Sequence, residues 1–174
     1  GGVEYTRRVF TSFADNVMVI ELAAGEGSKN LGVDLRYACP LTSEVKNEGE
    51  YLVMYCNGAE HEGVPAALHA VVMMRVKSDG KVVCKDGSLS VKDASSATIL
   101  LSSATNFVNY QDVSGDAYAK ARRAIEGAWG KPNKILYKEH KETYSEQFGR
   151  VDLSLPSFEF SKRETDIRIN DFNK

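Results

Sequence analysis

Up to Asn109 the chain is a series of short apolar or alternating runs set off by turn residues, and apolar positions at helical spacing follow. Tyr5-Thr6-Arg7-Arg8-Val9-Phe10 and Val17-Met18-Val19-Ile20-Glu21-Leu22 predict two strands joined at the turn-forming Ala14-Asp15-Asn16, hence a hairpin. After the polar loop from Ala24 to Asn30, Leu31, Val33, Leu35 and Tyr37 share one face of a half-buried strand. Tyr51 to Cys56 is a short apolar run ended by Asn57-Gly58, and Leu68 to Lys77 is a longer one broken only by His69 and Arg75. Asp79-Gly80 before Lys81-Val82-Val83-Cys84 is the strongest short-range hairpin signal, and Asp86-Gly87 repeats it before Ser88-Leu89-Ser90-Val91. Ala97 to Ser102 adds another buried run. Many short strands with frequent turns predict an antiparallel sandwich, since parallel strands would need helical crossovers.

From Asp116 to Gly130 the chain is rich in Ala, Lys, Arg and Glu, with Tyr118, Ala121, Ile125 and Trp129 at helical spacing and Ser114 or Asp116 as N-cap. Lys131-Pro132-Asn133 interrupts it. Leu136, His140, Tyr144 and Phe148 then predict a second helix over 133–148, ended by Gly149. Arg150 to Leu155 alternates as a final strand before Pro156, and the charged stretch from Ser161 reads as an exposed connection.

Length and charge narrow the partners. A chain of 174 residues can bury a core of its own without staples. With 22 Lys and Arg against 24 Asp and Glu, the net charge of −2 gives no general attraction to phosphate backbones or anionic lipid, so neither nucleic acid nor membrane is expected as a partner. No stretch approaches the roughly 18 uninterrupted apolar residues of a membrane span. Gly1-Gly2 ahead of a strand-like segment reads as an added remnant, with the expectation that the chain begins inside a longer protein. Cys39, Cys56 and Cys84 are widely spaced, form no CxxC pair, and read as small buried hydrophobes.

Candidate chemistry is sparse. Most carboxylates fall in turns or on helix surfaces, and none is assigned the paired acid and base roles of a glycosidase. His140 shares a helix face with apolar residues and reads as a packed histidine; His61, between Glu60 and Glu62, reads as surface. There is no nucleophile elbow and no glycine-rich phosphate cradle, and no cofactor or metal is expected. Aromatic rings can stack on the C–H faces of sugars, so Tyr51, Tyr55, Tyr110 and Trp129 are the candidate carbohydrate contacts, with Phe107 beside them; core packing is the competing use of each.

Asp86-Gly87-Ser88-Leu89-Ser90-Val91-Lys92-Asp93-Ala94-Ser95-Ser96-Ala97-Thr98-Ile99-Leu100-Leu101, followed by Ala104-Thr105-Asn106-Phe107, resembles a segment of glycoside hydrolase family 95. His140, Tyr144, Phe148, Arg150, Val151, Leu153 and Leu155 keep the spacing of that family's next motif, and Thr165-Asp166-Ile167-Arg168 resembles its lead into the catalytic region. Val3-Glu4-Tyr5-Thr6-Arg7-Arg8-Val9-Phe10-Thr11-Ser12 is similar to one of its strands. The pattern departs at Phe148-Gly149, where the family more often has Leu-Phe packing, and at Lys162-Arg163-Glu164, which replaces its usual Pro before Thr165-Asp166. The resemblance implies part of a non-catalytic N-terminal antiparallel β-super-sandwich, with two helices near its C-terminal end, in an α-L-fucosidase-like enzyme. Residues 1–160 would form the accessory sandwich and 161–174 a tail toward a catalytic (α/α)6 barrel, the implied partner, which acts on fucosylated or galactosyl glycans. It also suggests a secreted or periplasmic enzyme. Two alternatives stay open: a stand-alone carbohydrate-binding module using those aromatics, and an interaction domain that self-associates through its sheet edges.

Overall fold

The computed structural model describes residues 4–172. Packing divides the chain at Tyr144/Ser145 into two units. The first begins with β1 (Tyr5–Ser12) and β2 (Val17–Ala24), paired as the expected hairpin. Asn16 turns the chain at φ 54°, and the Ser12 hydroxyl donates to Asp15 at 2.6 Å. β3 (Leu31–Leu35), β4 (Ser43–Glu48), β5 (Tyr51–Asn57), β6 (His69–Ser78), β7 (Lys81–Lys85), β8 (Ser88–Ala94) and β9 (Ser96–Thr105) follow. They form an antiparallel six-stranded sheet in the order β1-β2-β9-β6-β5-β4 and a three-stranded sheet in the order β3-β8-β7. The fold is thus mostly β and sandwich-like, as the patterning predicts.

Side-chain alternation explains the layers. On β9, Ala97, Ile99 and Leu101 face the three-stranded sheet and join Leu89, Val91 and Ala94 of β8. Leu100 and Ala104 point the other way, into a core shared with Phe10, Val19, Val53 and Met73 and closed by helices. A central strand buried on both faces reads as a continuous apolar run. α1 (Ala117–Trp129) lies across β9 and β6. Asp116 caps it by accepting from the Ala119 N–H at 2.9 Å. Ala117, Ala121, Ile125 and Ala128 form its buried stripe, the alanines letting the helix approach the sheet closely. α2 (Asn133–Phe148) buries only Leu136, while Asn133 donates to the Thr98 hydroxyl at 2.6 Å.

The structure departs from the sequence patterning of this unit at one missed strand and one misassigned turn. β4, Ser-Glu-Val-Lys-Asn-Glu, was not expected, because an edge strand with a single apolar residue carries no usable alternation. Asp79-Gly80 is not a hairpin turn: β6 and β7 lie in different sheets, so the chain changes layers there. Gly80 is required by contact, since a Cβ on it would stand 2.3 Å from the Lys92 carbonyl oxygen. The Asp79 carboxylate accepts from the Ser95 N–H at 3.0 Å, the Ser96 N–H at 2.9 Å and the Ser95 hydroxyl at 2.7 Å. Asp86-Gly87, in contrast, is a true hairpin turn, with φ 53° and 67° joining β7 to β8. Asn47 on β4 braces it, accepting from the Gly87 N–H at 2.7 Å and donating to the Ser88 carbonyl at 3.0 Å.

The second unit carries the end of α2, a 3-10 turn at Glu159–Lys162 and α3 (Thr165–Asp171). Three helices therefore lie near the C-terminal end, where two were expected: the charged tail contains one of its own. Arg150 to Leu155 is not a strand, although Val151, Leu153 and Leu155 alternate. Alternation prepares a strand, but only a hydrogen-bonded neighbour makes one, and residues 151–158 join no ladder among the described residues.

Candidate functional site

The expected carbohydrate contacts fall in three places. Tyr51 opens β5 after a turn in which Gly49 takes φ 63°, and Trp129 ends α1 on the same face of the six-stranded sheet. Arg75 of β6 lies between them, its guanidinium carbon 3.6 Å from the Trp129 ring centroid and 5.2 Å from that of Tyr51. One terminal nitrogen donates to the Tyr51 hydroxyl at 3.5 Å, and the other pairs with the Glu50 carboxylate. Lys77 stands 4.9 Å over Trp129 and donates to the Lys131 carbonyl at 3.3 Å. Burial, and then the charge of Arg75, lower its pKa from the usual lysine value. Two cations therefore already use the indole π cloud. A groove of about 450 Å³ runs beside Trp129, lined also by Glu50, Lys77, Ser78 and Val82.

Tyr55, two turns of the pleat further along β5, lies parallel to Tyr118 of α1 with centroids 6.4 Å apart and an interplanar angle of 4°. Its hydroxyl donates to Glu48 at 2.7 Å. Burial, reinforced by that carboxylate, raises the Tyr55 phenol above its ordinary pKa, and the same two causes raise Tyr118. Both tyrosines are half-buried. Tyr110 differs: it is 88% exposed, in a turn closed by reciprocal hydrogen bonds of 3.1 Å between Asn109 and Asp112. Tyr51 and Trp129 are thus brought together around Arg75, Tyr55 belongs to a neighbouring stack, and Tyr110 is held on the loop between β9 and α1.

The histidines and carboxylates form no further centre. His140 packs on Phe10 at 5.1 Å and on Tyr144 at 5.9 Å. Asp15 and Glu139 share Lys131 at 2.7 and 2.6 Å, and these bonds, Asp15 first, raise the lysine pKa. Among the described residues no three His, Cys, Asp or Glu side chains are grouped to hold a metal. Sequence reasoning missed Arg75, whose role depends on a helix arriving from a distant segment. It also missed that Cys39 and Cys56 meet, with sulfur atoms 3.8 Å apart, because their spacing carries no motif.

Residues 1–110 match the model of the glycosyl hydrolase family 65 N-terminal domain. Among solved structures, a putative kojibiose phosphorylase from human microbiome superposes with a TM-score of 0.51 at 10% sequence identity, over 82% of this chain and 21% of that one. At that identity the likeness speaks for the fold. This chain spans about a fifth of that protein's length. No curated protein matches.

Proposed function

The chain belongs to the family of glycosyl hydrolase family 65 N-terminal domains, and from that premise we propose that it is a non-catalytic scaffold supporting the catalytic barrel of a larger carbohydrate-active enzyme. The family match over residues 1–110 carries this reading, because it spans all nine strands of the sandwich. The aromatic chemistry agrees with it. Tyr51, Trp129, Tyr55 and Tyr118 are engaged with Arg75, Lys77, Glu48 and one another, which is how rings behave when they fasten a helix to a sheet. Residues 161–174 would then lead toward the barrel.

The parent reaction is proposed at two levels. The matched family, with the kojibiose phosphorylase that superposes on this chain, favours hydrolysis or phosphorolysis of a glycoside such as kojibiose. The collinear likeness of the Asp86–Phe107 and His140–Leu155 motifs to family 95 favours an α-L-fucosidase-like hydrolysis as the second reading. The two are separated by assaying the enzyme that contains this domain with kojibiose plus inorganic phosphate and with an aryl α-L-fucoside. The isolated chain is expected to turn over neither, and turnover of either at an enzyme-like rate would overturn the scaffold assignment. Sugar contact falls to Tyr110, the most exposed of the candidate rings. Tyr110→Ala should then weaken oligosaccharide binding without lowering Tm. Self-association would use the edge strands β1 or β4.

A further inference from the structure

Residues 36–42 carry the chain from β3, in the three-stranded sheet, to β4, at the edge of the six-stranded one. This crossing is held at both ends against β5. The Tyr37 hydroxyl donates to the Leu52 carbonyl at 3.3 Å, and the Asn57 N–H donates to the Thr42 carbonyl at 3.0 Å. Between these anchors Cys39 is partly exposed, Cys56 is buried on β5, and their sulfur atoms are 3.8 Å apart. Pro40 holds the preceding Cys39 backbone away from the helical region. Cys84 is occupied elsewhere, its sulfur accepting from the Asn47 side-chain amide at 3.0 Å.

We propose that Cys39 and Cys56 are a dithiol pair that closes into an intramolecular disulfide on exposure to a low-molecular-weight disulfide such as oxidised glutathione. The partly exposed Cys39 thiolate attacks one glutathione sulfur, forming a mixed disulfide and releasing one glutathione thiolate. The Cys56 thiolate then attacks the Cys39 sulfur and expels the second. Two cysteine thiols are oxidised, one glutathione disulfide is reduced to two glutathione thiols, and the two protein protons pass to the departing thiolates. Burial and the Cys39 contact raise the Cys56 thiol's pKa, which favours Cys39 as the first nucleophile. Bonding requires the sulfurs to approach to about 2.05 Å, a movement within reach of a crossing segment that is not itself a strand. The bond would fasten the exit of one sheet to the second strand of the other.

The test equilibrates the full chain with oxidised glutathione under native conditions, alkylates the remaining thiols and maps the peptides. The expected product links Cys39 to Cys56, leaves Cys84 alkylated, and has lost two hydrogens from the intact mass. Its Tm should rise by about 6–12 °C, from closing a short loop in a domain of this size, and return on reduction. Cys39→Ser should abolish the shift while Cys84→Ser keeps it. Recovery of all three thiols alkylated, a lasting glutathione adduct on Cys39, a link to Cys84, or a Tm shift that survives Cys39→Ser would each overturn the proposal. The wild-type peptide map decides the matter even if a variant folds poorly.

Discussion

Two Asp-Gly dipeptides seven positions apart, Asp79-Gly80 and Asp86-Gly87, carry the same letters and do unlike work. At Asp86-Gly87 both residues take the left-handed backbone that reverses β7 into β8, so the dipeptide acts through dihedral angles. At Asp79-Gly80 neither residue takes a positive φ. Glycine is there because the Lys92 carbonyl and Ala94 press on it, and Asp79 is there because its carboxylate gathers the N–H groups of Ser95 and Ser96. A hairpin signal thus encodes a change of layer wherever the following strand finds its partner in another sheet.

The difference can be tested by changing one dipeptide at a time. Gly80→Ala should have the largest effect, on the order of 3 kcal/mol in denaturant unfolding, because its Cβ meets backbone that cannot retreat without moving β8. Asp79→Asn should come next, and its signature is a pH dependence. The Ser95 hydroxyl, then the Ser96 N–H, hold the Asp79 carboxyl at about 2, below its usual 3.8. A folded-state pKa below the unfolded one contributes stability that is present above the unfolded value and lost as pH falls through the folded one. The wild type should therefore lose an increment of stability on acidification from pH 3.8 to about 2 that the variant does not show. Gly87→Ala should cost only about 1 kcal/mol, the strain of a left-handed alanine in open space. Equal losses for Gly80→Ala and Gly87→Ala would erase the distinction.

The buried elements were legible in the sequence, because apolar patterning reports burial directly: the β1–β2 hairpin from its turn and runs, β5, β6 and β9 from continuous apolar runs, and both long helices from their 3.6 period. The errors share a cause. β4 gains its place from its neighbour β5 rather than from its own side chains, and Arg150–Leu155 has the right side chains but no neighbour. Pairing is a property of two segments, and a single segment does not display it. The same holds for the aromatic cluster. Tyr51 and Trp129 were legible as large rings with two possible uses, but the cation that occupies them arrives on β6, and nothing local marks Arg75 as their partner. Cys39 and Cys56 met unannounced for the same reason.

The position of β9 also orders the birth of the domain. It is the strand between β2 and β6, so the β1–β2 hairpin and the β4–β5–β6 meander have no ladder to one another except through it. Both precede it in the chain, and on a ribosome both must wait with an unpaired edge until residues 96–105 emerge, and the face that α1 covers waits for residues 117–129. Met18 meets Leu101 across that ladder, a closure of long range in sequence of the kind that slows folding. Until β9 emerges, the free edges of β2 and β6 are open to pairing with a neighbouring chain.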